Sequence, residues 1–182
     1  TIKTHSGNAK TIFSAAVKRG LLPESPFRDL KSGPTPSDYR RYVTADEIDR
    51  VIDACPTAEW KLIVGLARFA GLRVPSETAL LQLSDIDLVR GRMVVRSPKT
   101  ERFRGHESRV VPIVPKLRSL LTARIAEVGE SGAALISLGG EGALIRPMRR
   151  ICEAAGVEMW ERLWQTLRSS CEKEMAMSGV PQ

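Results

Sequence analysis

The 182-residue sequence predicts a mainly α fold with a small antiparallel β-sheet inserted, an α+β chain. Three observations carry this. Apolar residues recur with helical spacing at both ends of the chain, the period shortens to two over "DIDLVRGRMVVRS" and "SRVVPIV", and a proline-rich stretch interrupts the helices near the start. Residues 8–20, "NAKTIFSAAVKRG", place Ile12, Phe13, Ala16 and Val17 on one helical face and stop at Gly20. The following "LLPESPFRDLKSGPTPSDYRRY" contains Pro23, Pro26, Gly33, Pro34 and Pro36, the composition of an extended linker. A boundary near 31–41 divides the chain into residues 1–36 and 37–182.

Beyond the linker, Thr44 and Glu47 form a capping box that opens a helix with Ile48, Val51 and Ile52 on its apolar stripe. A second helix over roughly 58–70 is apolar nearly all round, which predicts a central, buried position. Pro75 suits the first turn of a short helix running through "SETALLQL". The alternating segments predict two or three strands turning at Arg90-Gly91, with "SPKTERFRGHE" as a long basic loop between them. Helices return over "PKLRSLLTARIAEVG", over about 143–155, and over "ERLWQTLRSSCEKEMAMSG", where Gly179 is the natural stop.

Composition narrows the function. With 28 Lys and Arg against 21 Asp and Glu, the net charge is +7, which biases the chain toward polyanions, nucleic acid first. Cys55, Cys152 and Cys171 are too widely spaced for a disulfide ladder or a paired-cysteine metal site, and read as reduced thiols of a cytoplasmic protein. No signal peptide opens the chain, and no apolar run approaches the roughly 20 residues that span a bilayer, so no membrane partner is expected. A phosphate-binding glycine loop, HExxH and a nucleophile elbow are all missing, and His5 and His106 cannot build a metal site alone.

What remains is a set of cations in unusual settings. Arg73 follows a buried helix, Lys99 sits between the strands amid Arg96, Arg102, Arg104 and Arg109, and Arg168 lies beside Leu163, Trp164 and Leu167. Arginine binds phosphate oxygens through a planar fork, whereas lysine is a mobile charge able to give up a proton. Two fixed arginines and a loop lysine suit the charge that develops in phosphoryl transfer. Each also has a plainer reading. Arg73 complements its helix end and pairs with Glu77, Lys99 is a solvated hairpin charge, and Arg168 pairs with Glu172.

Order and spacing favour the chemical reading. "FAGLRVPSETALLQLSDIDL" resembles the first-arginine box of the tyrosine recombinases, the phage-integrase family. "VVRSPKTERFRGHESRVVPIVPKL" is similar to the family's β-hairpin with its Lys-Thr, and "WQTLRSSCEKEMAMSGV" to its second-arginine helix. "NAKTIFSAAVKRGLLPESPFRDL" resembles the end of the helical core-binding domain, so the likeness runs collinearly along the chain.

The resemblance implies a tyrosine-recombinase-like catalytic domain over 37–182, preceded in 1–36 by the tail of a core-binding domain and a linker. It implies that Arg73 and Arg168 hold the scissile phosphate and that Lys99 protonates the leaving 5′ oxygen. The family cleaves double-stranded DNA through a 3′-phosphotyrosyl link, without metal or cofactor, and assembles as a homo-tetramer on DNA in a bacterial, phage or mobile-element setting at the nucleoid. Arg96, Arg102, Arg104 and Arg109 are the accompanying DNA-contact candidates.

Three departures stand out. Glu77 follows Arg73 by four residues, with Pro75 intervening, where the family usually has three. Gln165 occupies the place of the family's histidine and can hydrogen-bond a phosphate but not move a proton. The later Gly-His segment and the nucleophile tyrosine have no counterpart, since the two tyrosines, Tyr39 and Tyr42, belong to the linker. Thr1 and the closing "MSGVPQ" look cut, so the expectation is a fragment that binds DNA without completing strand exchange. The alternatives are a non-catalytic DNA-binding or regulatory module of the same fold, a type IB topoisomerase, and a protein-interaction domain with an incidentally basic surface.

Overall fold

The computed structural model describes residues 2–30, 41–99, 105, 107–129 and 134–179. The chain forms two compact units, Thr1–Tyr39 and Arg40–Gln182. The expected division between residues 36 and 37 lies outside the described residues.

In the first unit, helix α1 spans Ile2–Lys18. It starts well before the expected residue 8, because its first turns are mostly polar and leave no mark in the hydrophobic period. Gly20 then adopts a left-handed φ of 71°. Phe27 returns against Phe13 of the helix, their ring centroids 4.9 Å apart.

In the second unit, α2 (Ala45–Asp53) begins with the predicted capping box, in which Thr44 Oγ1 accepts from the Glu47 backbone and Glu47 accepts from Thr44 N–H. Ile48, Val51 and Ile52 are its buried face. Helix α3 (Ala58–Phe69) is buried from Leu62 through Arg68. It packs against α4 (Pro115–Val128) and α6 (Leu163–Met177), so it is central, as its all-round apolarity predicts. Helix α5 (Glu141–Ala154) packs against α2.

The sheet has three antiparallel strands in the order β1 (Ile86–Asp87), β2 (Arg92–Arg96) and β3 (Ser108–Pro112). In the β2–β3 register, Met93 pairs with Val111 and Val95 with Arg109. Met93, Val95 and Val111 point into the core, while Val94 and Val110 lie on the outer face. Gly91 makes the β1–β2 turn with φ 64°, and Arg90 N–H donates to Asp87 there.

One expected helix is replaced. "SETALLQL" forms a single-turn 3-10 segment, Thr78–Leu80, and leads into a second, Leu83–Asp85, rather than a continuous α-helix from Pro75. Glu77 N–H bonds the Arg73 carbonyl and Ala79 N–H the Pro75 carbonyl, but Leu80 and Leu81 reach back only three residues. Leu81 then turns extended and buries itself at 2% exposure. Burying that leucine and fixing the Glu77 carboxylate win over helix propagation. Among the described residues, no helix is long and apolar enough to cross a membrane.

The α3 exit rests on Gly71, whose φ of 63° lets Leu72 N–H return to the Leu66 carbonyl at 3.1 Å. Gly71→Ala is expected to lower stability by about 1–2 kcal/mol, the cost of a Cβ in the left-handed region. Urea unfolding of the variant beside the native chain checks it, and equal midpoints would reject the strain argument.

Candidate functional site

The site grows from the end of α3. The Gly71 turn carries Arg73 out of the buried helix, and Glu77 folds back beneath it. Arg73 Nη1 donates to Glu77 Oε1 at 2.6 Å, and Arg73 N–H donates to Oε2 at 2.9 Å. The sheet supplies the other partners. Arg109 of β3 closes a fork on the same carboxylate, Nη1 to Oε1 at 2.8 Å and Nη2 to Oε2 at 2.7 Å. Ser97, just past β2, donates its hydroxyl to Oε1 at 2.8 Å and accepts from Arg109 at 2.7 Å.

The Glu77 side chain is fully buried, whereas Arg73 and Arg109 keep 29% and 36% of theirs exposed. Burial alone would raise the Glu77 pKa, but the bonds from Arg109, the Arg73 backbone and Ser97 outweigh it and hold the carboxyl at about 2. Glu77 is therefore a fixed anion beneath two partly exposed guanidinium groups. The cluster keeps a net positive charge at its outer surface, and Glu77 engages only Nη1 of the Arg73 side chain. An arginine has five donors, so Arg73 retains donors for an anionic ligand.

Helix α6 approaches the same turn. A Cβ placed on Gly71 would lie 3.8 Å from Arg168 Cγ and 3.7 Å from Cys171 Sγ, which sets the stem of Arg168 against the turn that delivers Arg73. Arg168 Nε bonds Glu172 at 3.0 Å and is about one-third exposed. Gln165, one helical turn earlier, is exposed on the same side of α6. Lys99 is exposed beyond the end of β2.

The remaining cations divide. Arg96 closes a two-point bond on Asp85, 2.7 and 2.8 Å, and reaches the Leu80 carbonyl at 3.3 Å, tying the 3-10 segments to the sheet. Arg109 is likewise engaged, on Glu77. Arg102, Arg104 and His106 lie outside the described residues. Sequence reasoning paired Arg73 with Glu77 and Arg168 with Glu172, and both pairs form. It did not find Ser97, the Asp85–Arg96 clamp or the convergence of Arg109 on Glu77, because partners 11 to 32 residues apart leave no local signal. Nor did it single out Arg68, a cation buried at 1% exposure inside α3.

The cysteines stand apart from this chemistry. Burial pushes the Cys55 thiol up to about 12 and those of Cys152 and Cys171 to about 11, so all three stay protonated and unreactive. Among the described residues, no group of three or more His, Cys, Asp or Glu is arranged to hold a metal ion.

Because the folded-state pKa of Glu77 is depressed from 4.5 to about 2, its contribution is fully present above 4.5 and fades as the pH falls through 2. Native chain is expected to lose stability across this window, on the order of a few kcal/mol, while Glu77→Gln, less stable at neutral pH, loses less. Urea midpoints measured down the pH series decide this. Parallel curves for the two proteins would contradict the assigned carboxylate.

The sequence pattern of the Phage integrase family matches residues 41–182. The tyrosine recombinase XerA of Thermococcus kodakarensis is 36% identical over 104 residues, covering 54% of this chain and 35% of the relative. The XerA protein of Pyrococcus horikoshii is 31% identical over 90 residues, 50% of this chain and 30% of the relative. This chain thus spans about a third of the length of these relatives. Among solved structures, the Tn1549 transposon integrase in complex with transposon right end DNA superposes with a TM-score of 0.75 at 13% identity, covering 99% of this chain and 67% of that one. Lambda integrase bound to DNA gives 0.69 at 19% identity, with 99% and 68% covered. At such identities these structures speak to the fold alone, which in this chain comprises six α-helices and a three-stranded sheet among the described residues. With the pattern matched over nearly all of the second unit, the chain belongs to the phage integrase family of tyrosine recombinases.

Proposed function

We propose that this chain is the DNA-binding and phosphate-holding part of a site-specific tyrosine recombinase. The observation that carries the reading is the placement of Arg73, braced by a buried ionised carboxylate, at a turn packed against the stem of Arg168. In this reading the two guanidinium groups bind the non-bridging oxygens of the scissile phosphate and offset the charge that builds there. A tyrosine of the longer protein attacks the phosphorus and the bond to the 5′ oxygen breaks. Lys99 supplies the proton that the leaving oxygen takes. Gln165 adds a hydrogen bond to a phosphate oxygen. Residues 1–36 form the end of a core-binding domain with its linker, and residues 37–182 most of the catalytic domain.

Arg96 and Arg109 belong to the DNA-contacting face in this reading through the donors their carboxylate partners leave free, joined by Arg102 and Arg104. The partner is duplex DNA, and the longer protein works as a homo-tetramer. Lambda integrase has been solved as a tetramer bound to a Holliday junction, which supports that expectation by likeness of fold. The chemistry needs no metal or cofactor.

Gln165 favours a second reading, in which the fold binds DNA without cutting it. A glutamine in the first turn of α6 cannot transfer a proton, so a step that relies on this position is lost.

Duplex affinity of this chain is expected to fall linearly in log–log form as salt rises, at about 0.9 in slope per phosphate contacted. An affinity insensitive to salt would remove the phosphate contacts from the proposal. In the full-length protein, Arg73→Ala should cut strand cleavage by about 100-fold or more while duplex affinity changes little, since one stabilising donor is lost among many backbone contacts. A native full-length protein that binds the duplex but leaves no trapped phosphotyrosyl complex would favour the second reading.

A further inference from the structure

Arg68 is a deeply buried cation that takes no part in the Glu77 cluster. It sits in the last turn of α3, five residues before Arg73, with 1% of its side chain exposed. Its Nη1 pairs with Glu174 of α6 at 2.5 Å, and its Nε donates to the Val43 carbonyl at 3.3 Å. The guanidinium lies over the rings of Tyr42 and Phe69, 5.7 and 5.8 Å from their centroids. Its Nη2 has no hydrogen-bond partner among the described residues.

The segment that Arg68 grips is itself bound to α6. Val43 N–H donates to Ser170 Oγ at 3.0 Å, and that hydroxyl donates to the Thr166 carbonyl at 2.9 Å. At 100° per residue, Ser170 and Glu174 fall on one side of α6, while Gln165, Arg168 and Glu172 fall on the opposite side. The helix is therefore held from behind by Arg68 and Val43, and its front carries the arginine that meets the Gly71 turn. Stability supplies no need for a cation here, because a well-packed apolar side chain in place of a buried ion pair is often as stable. What an apolar side chain cannot reproduce is a directional tie from α3 to Glu174 and Val43 at once.

We propose that Arg68 is a positioning residue that fixes the rotation of α6 against the end of α3, and so places Arg168 beside Arg73 at a DNA phosphate. The inference rests on the phosphate-holding reading of Arg168 and adds to it the device that aims that arginine. Arg68 itself touches no ligand.

The test uses this chain, a fluorescently labelled short duplex and anisotropy across a salt series, at a temperature where circular dichroism shows each variant folded. Arg168→Ala is the reference and should make the log–log salt slope shallower by about 0.9, one phosphate contact. Arg68→Met should give the same change, the double variant no further change, and Arg68→Lys partial recovery, since lysine keeps the charge toward Glu174 but not the fork. Should Arg68→Met fail to fold, Glu174→Gln replaces it, with the same expected loss. A native slope in the Arg68→Met or Glu174→Gln variant, beside a reduced slope in Arg168→Ala, overturns the positioning role alone, whatever either does to the melting temperature. A native slope in Arg168→Ala overturns the phosphate reading and this inference with it.

Discussion

The site depends on one buried carboxylate. Glu77 accepts hydrogen bonds from Arg73, Ser97 and Arg109, drawn from the α3 exit, the end of β2 and the start of β3. An isolated carboxylate would not stay ionised in such a place, since burial strongly favours its neutral form. The bonds from the Arg109 guanidinium, the Arg73 N–H and the Ser97 hydroxyl reverse that preference, and the ionised carboxylate in turn fixes both arginines. Helix, turn and sheet thus share one electrostatic solution. The local backbone follows from it, because holding Glu77 beneath Arg73 while burying Leu81 leaves room for single 3-10 turns and not for a longer helix.

The same pairing recurs wherever an irregular segment must be held. Arg96 binds Asp85 and secures the turn before β1. Glu59, at the start of α3, accepts from the Ser137 hydroxyl and from Leu138 N–H, and pairs with Arg124 of α4 at 3.4 Å, fixing the segment that leads into α5. Arg68 ties α3 to α6 and to the segment that enters α2 at Val43. Charge in this chain has two populations. Part of the arginine content is internal framework joined to carboxylates, and part remains at the surface, which makes the net charge of +7 an imperfect guide to how many cations meet a ligand.

Much of the fold was legible in the sequence. The Thr44–Glu47 box, the apolar stripe of α2, the all-round apolarity of α3 and the Arg90-Gly91 turn are written in residues close together in the chain, and the structure follows each. The missing helix after Pro75 and the early start of α1 have opposite causes. In the first, tertiary contacts of Glu77 and Leu81 override a favourable local pattern; in the second, a polar helical segment carries no apolar period to detect. Of the site, Arg73 with Glu77 and Arg168 with Glu172 were legible because partners four residues apart meet across one turn, on the helix α6 for the second pair and on the turn after Gly71 for the first.

By itself the sequence determined the element order, the turns and the identity of the principal cations, since these rest on periodicity, capping and short-range pairing. Only the tertiary structure decided which charges become framework and which stay available. Ser97 and Arg109 lie 20 and 32 residues from Glu77, and Arg68 lies far from Glu174 in the chain. An arginine states its charge in the sequence but not its partner. That partner is chosen when strands and helices pack, because burying a charge is tolerable only where the fold brings an opposite one within reach.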